Sequence, residues 1–321
     1  MSRPPFDVEL SASLRVLGAE VGGTLTADLI PRKRAQLAQQ AVSDAVLERG
    51  GAIELERRRI PGPDGASELD ALICRPRGPL RGAAGVLHLH GGGMVMGDYT
   101  TGIDIALDWV QQLGVVVVSP NYRLAPEHPD PAPVSDCYAA LLWLAVHAEE
   151  VGVDPRRLIV AGASAGAGLA AGVTLMARDR GGPGLAGQIL MCPMLDDRNE
   201  TPSSYELDGE GVWDRGSNLT GWSALLGDRS GTADVSPYAA PARCTDLSGL
   251  PPTLIDVGSV ETFRDEAVAY ASRIWAQGGD AELHVWPGGF HGFDLLVPQA
   301  ALSQATRNTR TNWLQRLLDT A

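Results

Sequence analysis

Positive charge is scarce in this 321-residue sequence, where 26 lysine and arginine residues stand against 39 aspartate and glutamate residues, for a formal charge of −13 at pH 7. Lysine is almost absent, because every basic residue except Lys33 is an arginine. Proteins that bind nucleic acids or anionic lipid surfaces attract them with a basic face. The composition therefore argues against nucleic-acid and anionic-membrane partners.

Cysteine is also scarce, and the four cysteines are Cys74, Cys137, Cys192 and Cys244. No two have the short spacing of a zinc or redox motif, and four in a chain of this length do not make a disulfide framework. The N-terminus lacks the apolar core of a secretory signal. We therefore expect buried free thiols in a reducing compartment, which favours a cytoplasmic protein, and we expect no metal and no cofactor.

Long runs of large apolar side chains are missing as well. The stretch 158–177 has no charge and is long enough to span a bilayer, but it is rich in glycine and alanine. Small residues give a poor transfer free energy into lipid, so no membrane span is expected. Hydrophobic residues make up 44% of the chain and aromatic ones only 5%, which predicts a sizeable, mostly aliphatic core.

Short apolar runs alternate with helical patterns from residue 52 onward. This alternation predicts a mainly parallel sheet with helices on both faces. A turn-forming segment at 61–65 predicts an antiparallel hairpin between the first two runs. The eight predicted strands are 52–58, 69–74, 85–89, 115–119, 158–161, 188–192, 253–257 and 281–286. The predicted helices are 103–113, 134–147, 165–178, 264–277 and a last one with a stripe of Trp313, Leu314, Leu317 and Leu318.

Two segments stand outside this alternation. Residues 1–50 are predicted to be helical, because Ala38, Val42, Ala45 and Val46 recur at helical spacing. The interval 198–250 has many turn residues but also several large apolar ones. It fits a lid over a pocket and an ordinary surface excursion equally well.

The sequence Gly162-Ala163-Ser164-Ala165-Gly166 lies between an apolar strand and a helix of small residues. A serine on such a sharp strand-to-helix turn presents its hydroxyl above the sheet edge, which predicts Ser164 as a nucleophile. Gly166 also begins a G-x-G-x-x-A pattern of the kind that binds dinucleotides. Its glycines fall inside the predicted helix, however, so we interpret them as packing residues.

A second glycine motif, His90-Gly91-Gly92-Gly93, directly follows the strand 85–89. Consecutive glycines after a buried strand indicate a loop whose N–H groups face a ligand. In acyl transfer that ligand is the oxyanion, which predicts a hole formed by the N–H groups of Gly91, Gly92 and Ala165. His88 and His90 could suggest a metal pair, but no further ligand cluster accompanies them.

Where a serine nucleophile lies on a strand-to-helix turn of this type, its acid and then its histidine base follow it in the sequence. His291 is the favoured base because it lies in a glycine-flanked loop, whereas His284 alternates within a predicted strand. Glu261 is the favoured acid because it is the first carboxylate after the strand 253–257. Asp265, which starts the next helix, is the alternative, and Asp256 lies within the strand.

These motifs together resemble the hormone-sensitive-lipase-like group of α/β-hydrolases. They are, in chain order, HGGG (90–93), YRLAPEHP (122–129), GASAG (162–166), ETFRDE (261–266) and FHGF (290–293). The resemblance implies an α/β-hydrolase fold, an eight-stranded mainly parallel sheet flanked by helices, with a helical cap. It implies a serine carboxylesterase whose partner is a small-molecule ester. The segment 122–129 is interpreted as structural, with its arginine and glutamate bracing the glycine loop.

Two residues depart from the common pattern of this group. Ala163 stands where the group commonly has aspartate, and Glu261 stands at the usual aspartate of the acid position, as in the GTSAG-like subgroup. A glutamate can orient a histidine as an aspartate does, with one more methylene to accommodate.

The resemblance also divides the chain. It implies a cap of residues 1–50 and 198–235 over a core of 51–197 and 236–321. Trp213, Leu219 and Trp222 are then predicted to border the acyl pocket. Lactone, amide and acetylated-sugar substrates stay open as alternatives, as does a non-catalytic ligand receptor, and a homodimer is possible.

Overall fold

An eight-stranded sheet forms the centre of the computed structural model, which describes residues 3–21, 23–40 and 42–320, with 17–21 described by their backbone alone. The strands are β1 (Ile53–Pro61), β2 (Glu68–Pro76), β3 (Ala83–Leu89), β4 (Val116–Pro120), β5 (Val153–Ala163), β6 (Gly187–Met191), β7 (Thr253–Gly258) and β8 (Ala281–Trp286). Their spatial order is β1-β2-β4-β3-β5-β6-β7-β8. The pairs β1–β2 and β2–β4 are antiparallel and the other five are parallel, which confirms the predicted sheet and hairpin.

Three strands inside the sheet are buried from end to end. All residues of β4, β6 and β7 are buried, as expected of strands covered on both faces. The edge strands are more accessible, because only Ile53 and Ile60 of β1 are buried and every residue of β8 is at least partly accessible. The continuous apolar runs in the sequence therefore mark strands inside the sheet.

Helices cover both faces of the sheet, as predicted. Those of the core are α4 (Asp104–Leu113), α5 (Ala132–Val146), α6 (Ala165–Asp179), α9 (Arg264–Ala276), the short α10 (Phe293–Leu296) and α11 (Ala301–Thr320). Helices α5, α6 and α9 pack into one apolar cluster and α4 and α11 into another. Trp313 and Leu314 are buried, which confirms the main part of the predicted stripe on the last helix.

The N-terminal segment is helical but its predicted apolar stripe is wrong. It forms α1 (Val8–Val21), α2 (Ile30–Gln39) and α3 (Asp44–Leu47), and Ala38, Val42, Ala45 and Val46 are all exposed. The helix stops at Gln39 and restarts at Asp44, so the four residues do not share one helix face. Met1, Ser2, Gly22 and Ala41 of the predicted 1–50 segment lie outside the described residues.

The interval 198–250 contains α7 (Pro202–Glu206) and α8 (Arg215–Leu226) and contacts the N-terminal segment. The Leu25 N–H donates to Ser217 Oγ at 2.8 Å, and Thr220 Oγ1 donates to the Leu25 carbonyl at 2.8 Å. The Thr24 hydroxyl donates to Asp214 at 2.5 Å. Two segments far apart in sequence thus pack together.

The uncharged stretch 158–177 consists of the end of β5 and most of α6, which are consecutive elements of the core. Of the helices within the described ranges, none combines the length and apolarity that crossing a bilayer requires.

Candidate active site

Ser164 occupies a strained turn between β5 and α6. Its backbone has φ 58° and ψ −121°, a conformation that non-glycine residues rarely adopt. A Cβ at Gly162 would lie 2.2 Å from the Gly166 carbonyl oxygen, and a Cβ at Gly166 would lie 2.0 Å from the Leu89 carbonyl oxygen. Both positions therefore need glycine, and the strand–turn–helix context predicted for Ser164 is confirmed.

The glycines further along α6 serve packing. A Cβ at Gly168 would lie 2.1 Å from the Met194 carbonyl oxygen, and one at Gly172 would lie 2.2 Å from that of Tyr238. These close approaches lie inside the helix, away from the turn that opens it. The glycine pattern is thus explained by backbone contact with neighbouring loops.

Ser164, His291 and Glu261 form a continuous chain of hydrogen bonds. His291 Nε2 lies 2.9 Å from Ser164 Oγ, and His291 Nδ1 lies 3.0 Å from Glu261 Oε1. The second carboxylate oxygen of Glu261 accepts the Gly258 N–H at 2.9 Å. The structure therefore brings together the three side chains that the sequence singled out, on the loops after β5, β7 and β8.

The alternative acids are engaged elsewhere. Asp265 accepts the Ser203 N–H at 2.8 Å and pairs with Arg264 at 2.7 Å. Asp256 pairs with Arg310 at 2.8 Å. His284 likewise pairs with a glutamate on its own strand. None of these groups contacts His291 through a hydrogen bond.

The three residues of this hydrogen-bonded series are largely buried. Glu261 is 1% exposed, His291 9% and Ser164 8%. The Phe263 ring meets the His291 imidazole edge-on, with ring centres 5.1 Å apart. Cys192 lies beside the same groups, and burial raises the pKa of its thiol well above the usual range, so it is protonated. A buried site of this kind strengthens electrostatic interactions within it.

Behind the histidine loop lies a buried ion cluster that the sequence did not reveal. Arg310 of α11 donates to Asp256 of β7 and to Asp294 of α10, and it is 3% exposed. It thereby joins the strand that precedes Glu261 to the short helix that follows His291. Arg310 is one of three arginines in α11, and nothing in the sequence distinguishes it from the other two.

The two histidines of the β3 strand end are structural. The His90 ring stacks on Tyr122 at 4.1 Å, its Nδ1 donates to the Gly91 carbonyl at 2.8 Å, and the Tyr122 hydroxyl donates to the His90 carbonyl at 2.8 Å. His88 Nδ1 lies 3.3 Å from Ser119 Oγ. Burial lowers the pKa of His90 to about 4 and that of His88 to about 3, so both rings are neutral.

The glycine loop lies directly against the nucleophile. A Cβ at Gly91 would lie 3.5 Å from Ser164 Cβ. Gly92 has φ 121° and a Cβ there would lie 2.0 Å from the Met96 carbonyl oxygen, so no other residue fits. Within the loops and turns of the described ranges, the N–H groups of Gly91 and Gly92 donate to no protein acceptor. The hydrogen-bonding capacity of these two N–H groups is therefore not used by the loop itself.

The loop that follows these glycines is braced by Arg34 of α2. Its guanidinium donates to the Val95 carbonyl at 2.6 Å and the Ala125 carbonyl at 2.7 Å, and it forms a bidentate pair with Glu127 at 2.8 and 2.9 Å. The Val95 N–H in turn donates to the Gly92 carbonyl at 3.1 Å. Glu127 therefore belongs to the brace of the glycine loop, as its place in the 122–129 segment predicts.

The arginine of that brace is Arg34, and the prediction of Arg123 is wrong. Arg123, the arginine of the 122–129 segment, pairs instead with the fully buried Asp136 at 2.7 Å. Arg34 could not be identified from the sequence, because it lies in the N-terminal segment, far along the chain from the carbonyls it contacts.

The N-terminal segment also contacts the histidine loop. The Asp7 N–H donates to the Gly288 carbonyl at 3.0 Å. Leu10 is fully buried in a small apolar cluster with Phe290 and Phe293, the two residues that flank the His291–Gly292 pair. One segment therefore touches both the glycine loop and the loop of the histidine.

The three predicted pocket residues have different surroundings. The Trp213 ring packs so tightly on Gly93 that a Cβ there would lie 2.2 Å from it, and its carbonyl accepts the Thr262 hydroxyl at 2.7 Å. Trp222 is fully buried. Leu219 is half exposed and lines an open groove of about 410 Å³ between α2 and α8. Of the three, Trp213 lies beside the glycine loop and the loop of Glu261.

Comparison with known proteins places this architecture in a family. A family model described as the α/β hydrolase fold matches residues 86–295. Carboxylesterase NlhH of Mycobacterium tuberculosis is 35% identical over 307 residues, which cover 94% of this chain and 93% of that protein. Carboxylic ester hydrolase LipN of the same species is 35% identical over 316 residues, covering 95% of this chain and 80% of that protein.

Solved structures agree with this placement. A bacterial heroin esterase is 37% identical with a TM-score of 0.90, covering 98% of both chains. Esterase LipW from Mycobacterium marinum is 33% identical with a TM-score of 0.89, covering 99% of this chain and 98% of that one. By sequence, fold and the family match alike, the chain belongs to the hormone-sensitive-lipase-like family of α/β-hydrolases.

Proposed function

We propose that the protein is a serine carboxylesterase that hydrolyses short- to medium-chain acyl esters through an acyl-enzyme intermediate. The observation that carries this proposal is the hydrogen-bonded chain from Ser164 through His291 to Glu261, set beside a glycine loop with free N–H groups. Ester hydrolysis is also the activity named for the relatives NlhH and LipN.

The nucleophile is activated by the histidine. Because His291 Nδ1 faces the Glu261 carboxylate, the proton of the neutral imidazole lies on Nδ1 and the lone pair of Nε2 faces Ser164. Nε2 therefore accepts the hydroxyl proton while Ser164 Oγ attacks the ester carbonyl carbon. Glu261 then stabilises the imidazolium and keeps its orientation.

The negative charge that develops on the ester oxygen needs donors on the other side of the carbon. We assign this role to the N–H groups of Gly91, Gly92 and Ala165. Ala165 is the first residue of α6, where the free N–H groups and the helix dipole favour an anion. Collapse of the intermediate expels the alcohol, which takes the proton from His291 Nε2. A water activated by the same nitrogen then hydrolyses the acyl-enzyme.

Substrate size is set by a cap over this site. We assign the cap to residues 1–50 and 198–235 and the hydrolase core to 51–197 and 236–321. The hydrogen bonds of Leu25 with Ser217 and Thr220 support this grouping. We place Trp213 at the wall of the acyl pocket, because its ring packs on Gly93 of the glycine loop. The 8% exposure of Ser164 favours small esters over lipid aggregates.

The four cysteines support a reducing compartment such as the cytoplasm. All of them are free and buried. A homodimer stays a prediction.

Hydrolysis of p-nitrophenyl acetate, butyrate, octanoate and palmitate tests the proposal. The rate is expected to peak at the shorter chains, and Ser164→Ala is expected to lower kcat by at least about a thousandfold. Ser272→Ala, at an exposed serine of α9, is the matched control and should keep the wild-type rate. A Ser164→Ala protein that keeps most of the rate would refute the mechanism.

Labelling with a fluorophosphonate separates the alternatives. Labelling of Ser164 without hydrolysis of the p-nitrophenyl esters would indicate a lactone, amide or acetylated-sugar substrate. No labelling and no hydrolysis of any of these would indicate a ligand receptor.

A further inference from the structure

Cys192 has no part in the proposed mechanism, yet it lies within the site. It follows β6, its N–H donates to the Asp256 carbonyl at 2.7 Å, and its backbone has φ 40°. Its sulfur, a carboxylate oxygen of Glu261 and a ring nitrogen of His291 all lie within 4.8 Å of one another. Thiol, imidazole and carboxylate together are the ligand types that zinc binds in proteins.

The spacing is close to that of a coordination sphere. With bonds of about 2.0–2.3 Å, two ligand atoms on a tetrahedral zinc ion lie roughly 3.3–3.6 Å apart. The three atoms here, which lie within 4.8 Å of one another, must therefore converge by about 1.5 Å at most. Cys192 and His291 are 8% and 9% exposed, which leaves a narrow route from solvent, and a water can fill the fourth position.

We propose that Cys192, His291 and Glu261 form an inhibitory site for a thiophilic divalent cation such as Zn²⁺ or Cd²⁺. Binding replaces the thiol proton of Cys192, which leaves to solvent, with a metal–sulfur bond, and no group is oxidised or reduced. Hard cations such as Mg²⁺ prefer all-oxygen sites and are not bound.

Inhibition follows from the geometry of the histidine. Both ring nitrogens of His291 are in use, Nδ1 toward Glu261 and Nε2 toward Ser164. A metal on Nδ1 takes the place of the proton there, which moves to Nε2, so that Nε2 no longer has a lone pair for the serine proton. A metal on Nε2 occupies that lone pair directly. Either way the histidine cannot act as a base. This inhibitory effect rests on the proposed function, whereas the binding itself does not.

Binding is tested directly by titrating the metal-free protein with CdCl₂ while following the ultraviolet charge-transfer band of a cadmium–thiolate bond. One equivalent is expected to bind to the wild-type protein and to Ser164→Ala, because the serine is not a ligand. Cys192→Ala should lose the band. Cys244→Ala is the matched control, because Cys244 is buried to a similar degree and its thiol donates to the Asp246 carbonyl away from the site.

Activity is the second readout. ZnCl₂ and CdCl₂ should inhibit the wild-type esterase reversibly, with activity restored by EDTA, whereas MgCl₂ should not. Loss of even an outer partner costs a metal site 10- to 100-fold in affinity, so Cys192→Ala should raise the inhibitory concentration by about tenfold or more. Cys192→Ala should keep its activity in the absence of metal.

The outcomes separate the two proposals. A cadmium–thiolate band that persists in Cys192→Ala, or that is unchanged in His291→Ala and Glu261→Gln, would overturn the metal site. Equal zinc inhibition of wild type and Cys192→Ala would overturn its inhibitory role. A protein that shows the band but hydrolyses no ester would leave the site standing and count against the esterase proposal.

Discussion

Removing the guanidinium of Arg34 should slow catalysis although Arg34 does not contact the nucleophile. In the structure, this side chain holds the Val95 and Ala125 carbonyls, and the Val95 N–H holds the Gly92 carbonyl. Gly92 is one of the proposed oxyanion donors. Arg34→Ala therefore removes the support of the loop residue Val95, which is hydrogen-bonded to Gly92. Arg34 acts through this loop and is a positioning residue.

The loss of an oxyanion donor sets an upper limit on the size of the effect. Loss of one oxyanion donor outright costs roughly 2.7–4 kcal/mol, or about 10²–10³ in kcat. Arg34→Ala removes four hydrogen bonds, of which the two to the Val95 and Ala125 carbonyls hold the loop. Because Gly92 stays in place as a donor and keeps its other restraints, we expect a smaller loss than that, about 10- to 100-fold in kcat, which corresponds to roughly 1.4–2.7 kcal/mol.

Steady-state hydrolysis of p-nitrophenyl butyrate measures this, with melting temperatures recorded in parallel. The loss should fall on kcat with little change in KM, because the oxyanion exists only in the transition state. Glu127→Gln is the matched control, because it removes the negative charge that pairs with Arg34 but leaves both carbonyl contacts of Arg34. Surface ion pairs contribute only about 0–1 kcal/mol, so this variant should keep the wild-type kcat. An Arg34→Ala protein with unchanged kcat, or with the whole loss in KM, would refute the reasoning.

Two further predictions concern stability. Gly166→Ala should lower the free energy of unfolding by about 3 kcal/mol or more, because its Cβ would lie 2.0 Å from the Leu89 carbonyl oxygen. Gly184→Ala has nothing within 4 Å and should not change it, so equal urea midpoints for the two variants would contradict the packing argument. Burial lowers the pKa of His88 to about 3, so its neutral form adds stability above the unfolded pKa of about 6.5 that is lost as the pH falls toward 3. Relative to His88→Leu, the wild-type protein should therefore lose about 2 kcal/mol between pH 7 and pH 5. This comparison cancels buried acids such as Glu266, whose raised pKa acts in the opposite direction, and a pH-independent difference would be the contrary result.

The sheet and the three reacting side chains could be predicted from the sequence because their signals are local. Parallel strands buried on both faces leave continuous apolar runs, and β4 and β6 were recognised in this way. The turn at Ser164 needs glycine at two fixed positions, and the loops after β7 and β8 offer few carboxylates and histidines to choose from.

The contacts that the sequence did not reveal join residues far apart in the chain. Arg34 and Val95 are 61 positions apart, and their contact is a side chain on a backbone carbonyl, which leaves no trace in residue type. The helical spacing of Ala38 and Val46 is typical of a buried helix face, but both residues are exposed, because small apolar residues also occur on protein surfaces. The sequence gives no sign that Cys192 lies near Glu261 and His291, because no motif joins these three residues.

The N-terminal segment contacts three separate parts of the molecule through Arg34, Leu10 and Leu25, among other residues. Arg34 grips the glycine loop, Leu10 packs beside the histidine loop, and Leu25 joins α8. Most of the other described positions of α2 and α3 face solvent. Under the proposed cap assignment, natural variation or a mutant library confined to those positions would change the cap without changing the sheet. Substrate range and folding stability would then depend on different parts of one chain, and one could vary while the other is conserved.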